Sequence, residues 1–537
     1  MLFLPATFEA CSAAELKPIS TAHGSSALLV HPVPGGLLTP PLDLPSAPES
    51  IPPPLRRGYQ LAHLYCQACH LFPEPSLLNQ ETWRSGALRK MAPLMGVGRI
   101  NLEKKADGAL LKEAGIFPDS PLLSETDWLA ICDYYEQSAP RVALVQGSRP
   151  AIARETRQFR VKPFAYRTPR PAITMVKIDS AQHRLWIGNA QQSTLDLVSA
   201  SGELIRRTPV DSPPVSITSR QEGHYVTLVG HVFPSDEKAG QVILVEETAG
   251  DTPWKVRKIL DHLQRPVETT LVDLNGDGTQ DLLVSCFGNY LGRLSWYERA
   301  AGNSYREHVL IGRPGAIATC VNDVDRDGRP DVLVLMAQAR EGVFLLTNQG
   351  AGDFEESALL QFHPLQGSTH LEQADFNGDG FLDLLITNGD NGEYSSPFKN
   401  YHGIRVFLND GKNHFRETWF YPLNGAFKAI AADFDGDGDL DIAAISFFPN
   451  LEQSPEESFV YLENKGAMTF EASSFPLATT GRWLTLDVGD LDGDGDLDIV
   501  LGSFTQGPQS IPIPLAVREN WATHETAVLV LENVLRR

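Results

Sequence analysis

Cys66 and Cys69 stand three residues apart and are followed at once by His70, within the stretch LYCQACHLFPEP (64–75). Two thiols and an imidazole at that spacing can attach a haem, supply half of a zinc site, or act as a redox dithiol. With six cysteines and 14 histidines in 537 residues, composition alone leads one to expect roughly 0.002 such C-x-x-C-H matches. Chance is a poor explanation. A structural zinc ion needs four ligands, and no second Cys/His pair of suitable spacing lies nearby. A thioredoxin-type dithiol wants a βαβ setting, whereas these residues have helical periodicity.

A second chemistry repeats further along the chain. One nine-residue pattern recurs as DLNGDGTQD, DVDRDGRPD, DFNGDGFLD, DFDGDGDLD and DLDGDGDLD, with starts 50, 52, 58 and 57 residues apart. Its side-chain oxygens fall at positions 1, 3, 5 and 9. They are Asp273, Asn275, Asp277 and Asp281; Asp323, Asp325, Asp327 and Asp331; Asp375, Asn377, Asp379 and Asp383; Asp433, Asp435, Asp437 and Asp441; and Asp490, Asp492, Asp494 and Asp498. With a backbone carbonyl at position 7, such a set can surround a hard cation, and glycine at position 6 permits the tight turn. The glutamate that closes an EF-hand loop is missing, and position 9 opens an apolar strand instead. The loops are therefore expected to join strands and to bind up to five Ca²⁺. The 18 Asp ligands account for much of a formal net charge of −22, which five ions would bring to −12.

Elements must position these groups. In RRGYQLAHLYCQACH, Tyr59, Leu61 or Ala62, Tyr65 and Cys66 share a helical face that ends at the cysteines. SETDWLAICDYYEQ reads as a second helix, with Ser124 as N-cap and Asp127 three residues on. Trp128, Ile131, Cys132 and Tyr135 form its expected buried stripe. On these residues, 55–140 resembles a class I c-type cytochrome domain. The resemblance implies thioether bonds from Cys66 and Cys69 to one haem c and His70 as proximal iron ligand. It also implies a methionine as sixth ligand on the loop between the helices. LRKMAPLMGVG offers Met91, favoured because Pro93 and Gly96 would turn the loop away, with Met95 as the alternative.

Each Asp loop is followed by an apolar strand, a third strand such as GVFLLTNQG, and a fourth such as DFEESALL. Four strands per unit of some fifty residues is a propeller blade. These units resemble the FG-GAP/VCBS repeat family, whose calcium loops join the first two strands of a blade. Two upstream segments keep the strand order without the aspartates, which makes seven blades. The last unit stops at its third strand, while RETRQFRVKPF (154–164) reads as an orphan fourth strand that would close the ring and leave no open edge. The fold class is thus mainly β: a seven-bladed propeller at 154–537, preceded by a small all-α domain at 55–140 and a linker at 141–153. The long loops between second and third strands carry Phe287, Tyr290, Tyr394, Tyr401, Phe447 and Phe504 to one end of the channel. That end is the expected docking face for a redox partner or an extracellular ligand.

The acidic balance excludes nucleic acid, which needs clustered Lys and Arg. No run of eighteen apolar residues offers a membrane span. The first 54 residues combine a short apolar start, a possible lipidation site at Cys11 and a proline-rich tether. Localisation outside the cytoplasm, periplasmic or extracellular, follows from haem attachment of this kind. The leading expectation is a secreted haem c electron-transfer protein that docks a partner through its propeller. The alternatives are a sugar or alcohol dehydrogenase with a quinone-type cofactor, and an adhesion module. No catalytic constellation is visible in the sequence.

Overall fold

The computed structural model describes residues 44–250, 252–392, 397–507 and 512–534. Cys11, the tether through residue 43 and Tyr394 lie outside the described residues.

The helical segment is built on a close crossing of its first and last helices. Helix α1 (Arg56–Tyr65) runs directly into a 3₁₀ turn at Cys66–Ala68, so the two cysteines sit at its C-terminal end. A helical run follows from Gln80 to Met95, its first turn capped by Asn79, whose Oδ1 accepts from Thr82 N (2.9 Å). Gly96, at φ +70°, ends it in the left-handed conformation. Helix α2 (Gly108–Glu113) is short, and α3 (Glu125–Ser138) closes the segment. Ser124 caps α3 as its sequence suggests, accepting from Asp127 N (3.1 Å).

Helices α1 and α3 cross at Gly58, where any Cβ would stand 2.0 Å from the Ala130 carbonyl oxygen. The same Cβ would meet the Tyr134 side chain, which explains a departure from the expected stripe. Tyr134 is buried with Trp128, Ile131 and Tyr135, while Cys132 lies half-exposed at the rim.

Seven four-stranded antiparallel sheets follow. Blades 1 and 2 begin with inner strands Ile173–Asp179 and Pro214–Arg220. Blades 3 to 7 begin with Pro266–Val272, Ala316–Asn322, Ser368–Ala374, Ala426–Ala432 and Trp483–Gly489. Second strands such as Asp331–Met336 are buried along their whole length, because each is sandwiched between two neighbouring blades. This is why they read as continuous apolar runs rather than alternating ones. Outer strands such as Asp353–Gln361 face solvent and alternate.

The ring closes as expected. Phe159–Lys162 pairs with Val528–Asn533, Phe159 opposite Asn533 and Lys162 opposite Val530, to supply the fourth strand of blade 7. The long loop before the last strand is not irregular throughout, since it contains an α-helix at Leu515–His524.

Candidate functional site

Each of the five Asp-rich turns joins the first and second strands of blades 3 to 7. In the first, Asp273 Oδ1 accepts from Gly276 N (2.8 Å) and Asp277 N (3.2 Å), and Oδ2 from Gly278 N (2.8 Å). Asn275 Oδ1 accepts from Asp277 N (3.0 Å), and Asp277 Oδ1 from Thr279 N (2.7 Å). Corresponding bonds wrap the turn onto Asp375 and Asp433. Gly278 (φ +83°) and Gly380 (φ +84°) hold position 6 in the left-handed region that this wrapping requires. The result gathers carboxylates at a focus. Asp323, Asp325 and Asp331 each offer an oxygen within 4.8 Å of the others, as do Asp433, Asp435 and Asp437, and Asp490, Asp492 and Asp498. An all-oxygen, multiply charged donor set suits a hard divalent cation such as Ca²⁺.

Position 9 has a second duty that the sequence reading missed. Asp383 is fully buried; its Oδ2 accepts from Phe376 N (2.9 Å) inside the turn and its Oδ1 from Asn409 N (2.8 Å) at the end of the third strand. Asp331 takes Val324 N (2.9 Å) and Asn348 N (2.7 Å). Asp441 takes Phe434 N (3.2 Å) and Asn464 N (2.8 Å), and Asp498 takes Leu491 N and Asn533 N (both 3.1 Å). Each carboxylate therefore staples its turn to a neighbouring strand. Burial pushes the Asp441 and Asp498 carboxyls up to about 6. The signal was available: an asparagine recurs at the end of each of these third strands (Asn348, Asn409, Asn464, Asn533).

The turns are not equivalent. In the second, the Arg329 guanidinium pairs with Asp327. In the fifth, Lys162 Nζ from the closing strand lies 2.8 Å from Asp492 and 3.6 Å from Glu532. A resident cation beside the ligands must be displaced before a metal ion can use them.

The cysteine–histidine motif occupies the other part of the molecule. Cys66 packs against the helical core, and burial pushes its thiol up to about 12. His70 Nδ1 lies 2.8 Å from the Leu71 carbonyl, the kind of contact that orients a metal-ligating imidazole. His70 and Met91 border one small apolar pocket with Pro73, Trp83, Ala87, Pro364 and Leu365. Met95 lies one turn further on and packs on the same core, with its carbonyl accepting from Leu122 N (3.0 Å). Met91 ends a helical turn (Leu88–Met91) rather than riding on a loop, which corrects the expected setting. Two thiols at a helix end and an imidazole and a thioether on one apolar pocket make a donor set that fits haem c.

Pro364 and Leu365 come from the propeller, and the two parts of the chain are in contact. Leu365, in the turn between blades 4 and 5, is 6% exposed within the helical core. Tyr290 of blade 3 packs against Leu94, Leu111 and Ile116, and edge-on against Phe117 (5.4 Å between centroids). Tyr401 Oη donates to the Leu77 carbonyl (3.1 Å), and Asp236 N donates to Asp107 Oδ2 (3.2 Å). Buried Asp236 in turn accepts from the backbone of Asn289, Tyr290 and Leu291. The connecting segment is strapped down as well: Ala153 N donates to the Ala472 carbonyl (2.9 Å), and Ile152 lies in the core between blades 5 and 6.

The expected docking face is corrected by these contacts. Tyr290 and Tyr401 are spent on the helical segment, not offered to a partner. Phe447 and Phe504 pack on Phe448 and Ala172, with the Arg482 guanidinium 3.8 Å from the Phe447 ring centre; Phe287 lies under Arg265. Large apolar rings gathered at one end bury one another when a cover is available, and the chain carries its own cover. The Asp turns at the opposite end are exposed at positions 4 to 6 of blades 3 and 5.

Four stretches, 273–334, 323–386, 394–444 and 453–501, match the FG-GAP-like repeat. The class of protein is a seven-bladed β-propeller built in part from FG-GAP-like repeats. Among curated relatives, cartilage acidic protein 1 of Mus musculus is 30% identical over 185 residues, covering 32% of this chain and 26% of the relative. The Homo sapiens protein of that name is 29% identical over the same length. The chain thus spans about a quarter of the length of these relatives. Among solved structures, the Neurospora crassa Pan2 WD40 domain covers 71% of this chain and 97% of its own at 10% identity, with a TM-score of 0.42. Regucalcin from Agrobacterium tumefaciens covers 56% and 93% at 13% identity, with a TM-score of 0.34.

Proposed function

We propose that the protein is a secreted, calcium-braced binding module. The observation that supports it best is the set of five acidic turns of one design, on the propeller end that the helical segment leaves uncovered. The similarity to cartilage acidic protein 1 points the same way. Among the described residues no helix is long and apolar enough to cross a membrane. Equilibrium dialysis against Ca²⁺ tests the reading. Three tight sites are expected, at 273–281, 375–383 and 433–441, with the turns holding Arg329 and Lys162 filling at higher concentration. Lys162→Ala is expected to bring a fourth site into the tight class. No bound calcium at millimolar concentration would sink the proposal.

A second reading has an observation of its own, the pocket shared by His70 and Met91. In it, Cys66 and Cys69 would hold one haem c covalently, His70 and Met91 would ligate its iron, and the bound group would supply one-electron chemistry toward a partner. The rings of Trp83 and Tyr135, 4.4 Å apart between centroids, stand in the same core and would help to keep water from it. This reading is compatible with the first: the propeller would bind, and the helical segment would carry the electron. Protein matured with a haem-attachment system is expected to show reduced visible bands that survive denaturation. Cys66→Ala with Cys69→Ala should abolish them. A wild-type protein lacking covalent haem after such maturation would end this reading and leave the binding module standing.

A further inference from the structure

We propose that the propeller supplies a wall of the haem pocket, through the turn that carries Pro364 and Leu365, so that the pocket is sealed only while the helical segment stays docked on the blades. This rests on the haem reading of Cys66, Cys69, His70 and Met91. It assigns a role to residues some 270 positions away in sequence, in a part of the chain with no haem motif.

The pocket is the first observation. Five of its lining residues (His70, Pro73, Trp83, Ala87 and Met91) come from the helical segment, and the other two from the propeller. Both candidate axial ligands are among the five, so the two propeller residues face the place where axial chemistry would occur. Leu365 is as buried in the helical core as Leu55 or Leu123 of that core itself.

The turn is also built to hold its position. Gln366 N donates to the His363 carbonyl (2.9 Å), and Leu365 N donates to His363 Nδ1 (3.3 Å). The His363 ring meets Tyr401 edge-on at 4.8 Å, and Tyr401 Oη reaches across to the Leu77 carbonyl. Burial holds the His363 imidazole down at about 4, so near neutral pH the turn carries no charge against the pocket. An apolar side chain pinned from both sides excludes water, and solvent access is one of the levers by which a protein sets the reduction potential and ligand access of a haem.

The test uses the full chain matured with haem, as wild type, Leu365→Ala and Leu365→Gln. Covalent haem content, read from the denatured pigment, should be equal in all three, because attachment depends on Cys66, Cys69 and His70. Calcium binding by the propeller reports that each variant is folded. Both variants are expected to bind imidazole at the ferric haem at least about tenfold more tightly than wild type and to show a lower midpoint potential. The more polar Gln should give the larger shift. Covalent haem in wild type with unchanged imidazole affinity and potential in both variants would overturn this inference alone. Absence of covalent haem from the wild type would overturn the haem reading, and this inference with it.

Discussion

Asp383→Ala is expected to destabilise the propeller by about 3 kcal/mol, as the combined cost of leaving two backbone donors, the buried Phe376 N and the half-buried Asn409 N, without an acceptor. The Phe376 amide cannot turn to water, because the carboxylate that it shares with Asn409 is fully buried between the turn and the third strand. The loss should be visible as a fall in the urea midpoint, both with saturating calcium and in excess chelator. Asp379→Ala provides the contrast. Its carboxylate is exposed; Oδ1 accepts from Phe381 N (2.9 Å) and Oδ2 from Asn377 Nδ2 (2.8 Å), both within the turn. That variant should lose stability chiefly in calcium. If the Asp383 effect vanished in chelator, position 9 would act only through a metal, and the stapling described above would be wrong.

The difference between positions 5 and 9 marks how far the sequence could be read. The turns were legible because their chemistry is local: ligand oxygens two residues apart, a glycine at position 6 and an apolar strand beginning at position 9. Five copies made the period visible, and the period made the blades countable. Closure by Phe159–Lys162 was legible for a related reason, since a unit lacking a fourth strand and a strand lacking a unit imply each other. What escaped the reading is non-local. Nothing near Leu365 says that it will enter a core formed by residues 55–139, and nothing near Asp236 says that it will meet Asp107. The aromatic residues of the long loops were placed at the correct end, but a sequence does not tell whether such rings greet a partner or a distant part of the same chain. Here Tyr290 and Tyr401 have an internal partner. Cys132 shows the same limit within one helix. Its spacing suits the buried stripe, yet the crossing at Gly58 turns Tyr134 inward instead, because a residue without a side chain lets the Tyr134 side chain approach α1.

Removing calcium is expected to have a still larger effect than any single substitution. If three turns are each filled at a hundredfold excess over Kd, mass action alone adds about 8 kcal/mol to the stability of the folded state. The physical source is plain in the turn at 433–441, where three carboxylates converge within 4.8 Å and repel one another unless a cation lies among them. The consequence should also be directional. Blades 1 and 2 lack the acidic turns, so their amides should keep more of their protection against hydrogen exchange in chelator than those of blades 3, 5 and 6. Blade 7, with Lys162 beside Asp492, and blade 4, with Arg329 on Asp327, should fall between, because each brings a cation of its own. A melting curve unchanged by chelator would mean that the backbone hydrogen bonds onto Asp273, Asp375 and Asp433 suffice to hold the turns. A fall equal in all seven blades would mean instead that the ring yields as one cooperative unit, with the closing strand as the element that transmits the loss.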